Sequence, residues 1–545
     1  MKKILILIMG AVVFCGCKKV LELDPLANAS ENTYFKTAED AKVGLNAVYA
    51  TLPNDRDFWK DCSSDNSIMT NAWGEGGMGF INQGSQKASD AYLLEEYSTP
   101  YQSIRRALYY LTKLKAIDFD ANLKKRYEAE ARFALAMRYF RLVEHFGDVP
   151  LIKEQPVLLE ESKIPRNAKQ EVLTYALQCV NFSVDNLPVA YTDASDNGRI
   201  TKAAALMLRA NIYLYMASWA KFHTGSGATV YWQHAANSAD SVTTMGYRLE
   251  DDFAFVFTEA ANNNNKEVIL GRQYVKNLIT HMLPVLASPG GVGVTGEGWA
   301  SFCATRDLVD SYECTDGKTI QTSSLYNPAN PYQNRDKRLA KTFILPGIPI
   351  KRPDGTMKPF QPDPSSGMPE RIGAEGGGGK TGYMYLKFND LNTLRPDESY
   401  INWPIYRYSE TLLIIAEAFN EFSPGNPKIK SAIDQVRQRA GLPVVEPSVS
   451  ADQSAMRTLI RNERRHEFVA EHKRYFDILR WKTAEIVLNQ PAYGINVNVT
   501  DPVGAYNVPQ IKAQDRAFDA SRMYVWPIPQ SVIDANPMIK QNPGW

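Results

Sequence analysis

Between residues 122 and 146, Leu135, Tyr139, Leu142 and Phe146 recur at i, i+4, i+7 and i+11, the spacing of one face of an α-helix. Gly147 stands where such a helix should stop, because glycine takes the left-handed conformation that ends helices. The same amphipathic pattern predicts helices over 37–52, 168–187, 201–221 and 231–245. Thr37 is placed to cap the first of these, and Glu39 and Asp40 suit the positive end of its dipole. In 201–221 the stripe Leu206, Ala210, Tyr213 and Ala217 contains two small residues, which let a neighbouring helix approach closely.

The pattern lapses over about 250–400, where Asn262 to Asn265, Pro-Gly clusters and the glycine run 376–379 predict loops. It resumes near residue 404, with Leu412, Ile415, Ala416 and Phe419 on one face. A second helix comes next: Asn426 as cap, Pro427 in the first position, Ile429, Ile433, Val436 and Ala440 as the stripe, and Gly441 as the stop. A third starts at a capping box of Ser450 and Gln453 and buries Met456, Leu459 and Ile460. Antiparallel helix pairs of ~34 residues recurring along a chain form a tetratricopeptide-like solenoid. The expected fold is therefore mainly α: a helical scaffold over 36–250 and 403–545, interrupted by a loop-rich lobe over 251–402 with little β-structure. An irregular stretch that long usually carries function.

The start of the chain reads as an export signal. Lys2 and Lys3 precede an apolar run from Ile4 to Val13, too short for the ~20 helical residues that span a bilayer. The small residue before Cys17 resembles a bacterial lipobox, so residues 1–16 are expected to be a signal peptide, Cys17 a lipidated anchor and 17–35 a tether. Composition then narrows the function. The 61 Lys and Arg against 60 Asp and Glu give no electrostatic reason to expect nucleic acid. Cys62, Cys179, Cys303 and Cys314 form no C-x-x-C pair; Cys303 and Cys314 are close enough in sequence to bond, or remain buried thiols.

Catalytic patterns fail on context. Ala374 to Thr381 matches a relaxed phosphate loop, but the adjoining segment, Tyr383 to Phe388, alternates like a strand where a helix is required. Gly291 to Gly296 matches a dinucleotide fingerprint in letters only and leads to Trp299. Beside His466-Glu467 a zinc site requires a second His at the position of Ala470. Glu463 and Glu467 fall on the apolar stripe of their helix, and ion pairing with the nearby Arg464, Arg465, Arg474 and Arg480 accounts for them better than an acid/base pair. No catalysis, metal or cofactor is expected.

Several strings in order carry a family resemblance. Leu23-Asp24-Pro25 comes after Cys17; Glu130-Ala131-Arg132-Phe133 leads to Phe146-Gly147-Asp148-Val149-Pro150-Leu151; then come Asn334-Arg335-Asp336-Lys337-Arg338-Leu339, Tyr406-Arg407-Tyr408-Ser409-Glu410, Val436-Arg437-Gln438-Arg439-Ala440-Gly441, Arg464-Arg465-His466-Glu467-Phe468 and Trp526-Pro527-Ile528-Pro529. Together they resemble the RagB/SusD family of lipoproteins. The resemblance implies about four tetratricopeptide-like helix pairs in a right-handed superhelix and a lipid anchor in the outer membrane, exposed at the cell surface. It also implies a SusC-like TonB-dependent transporter as partner, to which captured oligosaccharides are delivered. Some relatives take peptides, and a helical-repeat protein can also act as a scaffold without a ligand.

A sugar site needs aromatic faces for pyranose C–H surfaces and polar groups for hydroxyls. Trp73 and Trp299, in glycine-rich loops, are the candidate platforms, with Asp65, Asn66, Asn71 and Tyr92 as polar candidates. Each Trp can instead plug its loop onto the core, since Trp is highly buried on average.

Overall fold

The computed structural model describes residues 35–70, 78–262, 264–391, 398–496 and 510–545. Among these, helices of twelve or more residues are labelled in order: α1 (Ala38–Tyr49), α2 (Ala91–Ala116), α3 (Ala121–Phe146), α4 (Lys169–Asn186), α5 (Lys202–Trp219), α6 (Thr229–Val242), α7 (Tyr408–Phe422), α8 (Pro427–Arg439) and α9 (Gln453–Glu467). The local signals read from sequence operate as expected at most ends. The Thr37 hydroxyl accepts the Asp40 N–H at 3.1 Å, while the Asp40 carboxylate accepts the Thr37 N–H at 2.9 Å. Gly147 ends α3 at φ 69°, a conformation costly for other residues. The Asn426 side chain caps α8 by accepting the Lys428 N–H at 3.0 Å.

One local expectation needs correction, and one helix was not expected. The capping box of Ser450 and Gln453 does not form. Ser450 closes the short helix Pro447–Ser450, and Asp452 caps α9, accepting the Ser454 and Ala455 N–H groups at 2.7 and 2.8 Å. The unexpected helix is α2, which the hydrophobic periodicity does not place: Pro100 lies inside it, where proline normally breaks a helix. Burial of Tyr92, Leu93, Tyr97, Ile104 and Leu108 on both sides of Pro100 carries the helix through.

Successive helices pack side by side from α1 to α6, and α6 then packs directly on α7, far ahead in sequence. The intervening chain leaves the stack and returns beside its own exit. Its root is an antiparallel pair, Val268–Arg272 with Trp403–Arg407, in register Val268 to Arg407 and Arg272 to Trp403. Helix α7 also packs on α8 and α9. Among the described residues the fold is thus mostly helical with small two-stranded sheets only. Cys62, Cys179, Cys303 and Cys314 are buried free thiols, so Cys303 and Cys314 do not bond to each other. Among the described residues no helix is long and apolar enough to cross a membrane.

A buried ion cluster ties the excursion to the helices. Glu467, fully buried at the end of α9, accepts from Arg338 (3.0 Å), Arg407 (2.9 Å) and Arg439 (2.5 Å). Arg338 also pairs with Asp336 and Glu463, each at 2.6 Å, and Arg407 with Glu267 at 2.5 Å and Glu471 at 2.7 Å. Glu463 and Glu467 are structural, as expected, but their partners come from 338, 407, 437 and 439 rather than from the arginines nearest in sequence. Arg464 and Arg480 instead hold Asp477, and Arg465 and Arg474 hold Asp65. Four strings that carry the family resemblance, around 336–338, 407, 437–439 and 463–467, meet in this cluster. Glu467 faces three guanidiniums and Glu471 the two-pronged Arg407 with Lys387, the pairing that makes a buried charge tolerable.

This interior sets the response to acid. Burial keeps His145, His466 and His472 neutral, with the last pushed down to about 3. Burial alone would lift the carboxyls of Glu467, Glu471, Asp65 and Asp477, but the cations facing them outweigh it and hold all four below the usual range. Below about pH 6.5 the unfolded state binds protons that the buried histidines refuse, and below about 4.5 it also binds protons that these carboxylates refuse. Burial raises Asp61 and Asp310 to about 6 and Glu144 to about 7, which softens the first stage because these groups take up protons in the folded state. The urea midpoint should therefore fall modestly from pH 7.5 to 5.5 and steeply from 4.5 to 3. A midpoint at pH 3 equal to that at 7.5 would contradict the burial of these charges.

Candidate ligand-binding site

A short strand pair brings two distant loops together. Ser67–Met69 runs antiparallel to Phe302–Ala304, and beyond it the Thr70 N–H donates to the Ser301 carbonyl at 2.9 Å and the Thr70 hydroxyl to the Ala300 carbonyl at 2.5 Å. The segment entering residue 71 thus lies beside the segment leaving Trp299. Trp299 is anchored through its backbone, its N–H donating to Val285 at 2.9 Å, while the side chain is 43% exposed.

Trp299 stands at the edge of a groove of about 560 Å³ between the loop 290–298 and the loop 369–377. Glycine builds the floor because the two backbones touch. The Gly290 N–H donates to the Gly377 carbonyl at 2.9 Å, and a Cβ on Gly377 would lie 2.8 Å from the Gly290 Cα. A Cβ on Gly298 would meet the Pro289 carbonyl oxygen at 2.2 Å, and one on Gly378 the Arg371 carbonyl oxygen at 2.0 Å. The run that resembles a phosphate loop is therefore a packing device. A strand, Met384–Tyr385, comes after it, and the Lys380 N–H is used on the Cys303 sulfur at 3.2 Å. Gly378→Ala should cost about 1–3 kcal/mol, the range for enforced backbone strain. Gly227, with nothing near its Cβ position, is the control: Gly227→Ala should leave the urea midpoint unchanged, and an equally harmless Gly378→Ala would remove the close approach.

Of the sequence candidates, Trp299 is the one placed with an exposed aromatic face in a groove. Asp65, Asn66 and Tyr92 are corrected by their burial. Asp65 accepts Arg474 through both oxygens at 2.8 Å and Arg465 at 3.1 Å. Asn66 accepts Arg465 Nε at 2.9 Å, and its carbonyl accepts the Thr305 N–H at 2.9 Å. These two side chains brace the strand pair that positions Trp299 and do not face a ligand. Tyr92 packs its ring on Trp526 inside α2, centroids 5.9 Å apart. Asn71, Trp73 and Cys17 lie outside the described residues.

Sequence reasoning missed Glu297 and Arg371, which line the same groove; the Arg371 guanidinium donates to the Met368 carbonyl at 3.0 Å. Their only signal is charge among glycines, and an aperiodic loop does not reveal which way a side chain faces. His466 and His472 are not brought together as ligands. His466 stacks on Tyr312 with centroids 4.3 Å apart, and His472 lies 3.5 Å from Asp57.

Comparison with known proteins bears on the whole chain. A family model described as "SusD family" matches residues 257–545, and one described as "Starch-binding associating with outer membrane" matches residues 26–214. The chain is 23% identical over 547 residues to SusD-like protein P38 of Formosa agariphila, covering 97% of this chain and 96% of that one. A SusD-like carbohydrate binding protein of Bacteroides fragilis superposes with a TM-score of 0.81 at 25% identity, covering 93% of this chain and 100% of the other. A laminarin binding SusD-like protein superposes with a TM-score of 0.68 at 23% identity, covering 94% and 100%, a likeness of fold.

Proposed function

The chain belongs to the SusD family, and from that we propose that it captures oligosaccharides at the cell surface and passes them to a SusC-like TonB-dependent transporter. The observation that carries the reading is the half-exposed indole of Trp299 beside a glycine-floored groove of about 560 Å³. A flat aromatic next to a floor without side chains admits a pyranose ring edge-on or stacked, and Glu297 and Arg371 supply groups for its hydroxyls. The volume falls within the ~300–1,000 Å³ of small-ligand sites. Trp73 and Asn71, just past Thr70 in sequence, are proposed as further ligand-binding residues. Carbohydrate and laminarin binding in the two structural neighbours supports the choice of ligand class. Anchoring would come from lipid on Cys17, in keeping with the outer-membrane association in the description of the second family model.

The reading is capture without catalysis. Native gels cast with individual polysaccharides should retard the protein for at least one glycan, and incubation with that glycan should release no new reducing ends. Unretarded migration in every gel would contradict the reading.

A further inference from the structure

A second cleft, sharing no lining residue with the Trp299 groove, opens where the excursion leaves the helical stack. It has a volume of about 530 Å³ and lies between the 189–201 connector, the turn at 245–247 and the root strands. We propose that this cleft is a second oligosaccharide site, taking another stretch of the same neutral glycan; the proposal rests on the glycan reading above for its ligand class.

One wall consists of amides that lock each other. Asn402 Nδ2 donates to Gln273 Oε1 at 2.9 Å and to the Asn262 carbonyl at 3.3 Å, while its Oδ1 accepts the Tyr274 N–H at 2.7 Å. Asn262 Oδ1 accepts the Asn402 N–H at 2.8 Å, and its Nδ2 donates to the Tyr400 carbonyl at 2.7 Å. Gln273 Nε2 spends one hydrogen on the Gly271 carbonyl at 3.1 Å. Every rotamer in the triad is fixed, yet each amide oxygen keeps a further lone pair and Gln273 a further hydrogen, all at a solvent-open wall. Preorganised donors and acceptors bind hydroxyls without paying again for ordering.

The opposite side supplies the other half of sugar recognition. Tyr247 presents a half-buried ring, its hydroxyl 3.5 Å from Thr201 Oγ1, and beside it Gly246 leaves open space where a Cβ would stand. Asn197 adds an exposed amide on the rim. The charges beneath cancel: Arg199 pairs with Glu130 at 2.9 Å and Asp196 at 3.0 Å. Amides, hydroxyls and the rings of Tyr191 and Tyr247, set among aliphatic residues such as Val268 and Leu270, match a polyol with apolar C–H surfaces. Lys266 is a single exposed cation in this lining, not the cluster that phosphate recognition needs.

The test is titration calorimetry of the intact mature protein against laminarihexaose, maltohexaose, xylohexaose and mannohexaose, with the variants Trp299→Ala, Tyr247→Ala/Gln273→Ala and Asn197→Trp. The last fills the rim from an exposed position, so it reports even if Tyr247→Ala fails to fold. Wild type should bind at least one hexasaccharide at two sites, and Trp299→Ala should keep one. Either cleft variant should weaken that remaining site at least tenfold. A single site abolished by Trp299→Ala, or residual binding indifferent to the cleft variants, would overturn the cleft while leaving the groove intact. Loss of a site in the cleft variants with none lost in Trp299→Ala would overturn the groove instead. No heat from any of the four sugars would count against the cleft, with the polysaccharide gels then deciding the groove separately.

Discussion

Replacing Glu467 with alanine should destabilise the folded protein by about 3–5 kcal/mol, the cost of removing one partner from a buried ion pair. Three guanidiniums converge on this carboxylate, from Arg338, Arg407 and Arg439, and its truncation leaves each without part of its compensation in an interior closed to water. The effect should spread beyond α9. Arg338 and Arg407 belong to the segments that anchor the excursion, so the loops carrying the groove should loosen with it. Glu467→Gln should fall between wild type and alanine, because the amide keeps an acceptor but loses the charge. In a double-mutant cycle Glu467→Ala and Arg439→Ala should be strongly non-additive, since the second removes one of the charges the first leaves stranded. Urea denaturation at pH 7.5 measures all of these. An unchanged midpoint for Glu467→Ala would show that the cluster does not hold the fold.

Trp299→Ala should do the opposite: leave the urea midpoint where it is and weaken glycan binding about 30-fold, or about 2 kcal/mol, the loss expected for a central aromatic anchor. Trp299 is 43% exposed, and its backbone N–H holds the loop to the Val285 carbonyl at 2.9 Å, a bond the alanine variant keeps. Asp65→Ala provides the contrast. It should lower stability, because Arg465 and Arg474 would lose their carboxylate, and should reduce binding only in proportion to the loss of folded protein. If Trp299→Ala bound glycan with unchanged affinity, the groove would not be the site.

Residues whose signals are local were legible. Thr37, Gly147, Asn426 and Gly441 mark helix ends because caps and stops act within a turn of the chain. The helical class came from periodicity, and family membership from strings of which four converge on the buried ion cluster in the structure. Those strings are therefore informative about fold and nearly silent about ligand. Pro100 hid α2 because the burial that carries the helix through is tertiary. Asp65 and Asn66 looked like ligand groups because a polar pair next to a glycine-rich loop is ambiguous until its partners, some 400 residues away, are known. The glycine runs misled in letters alone: their physical cause, backbone touching backbone at Gly290 and Gly377, exists only between two segments.

Titration calorimetry of the mature protein against parallel panels of polysaccharides and oligopeptides tests the central claim most directly. Heat of binding from at least one polysaccharide and none from the peptides is the predicted result. Binding confined to the peptides, or no heat from either panel, would contradict glycan capture.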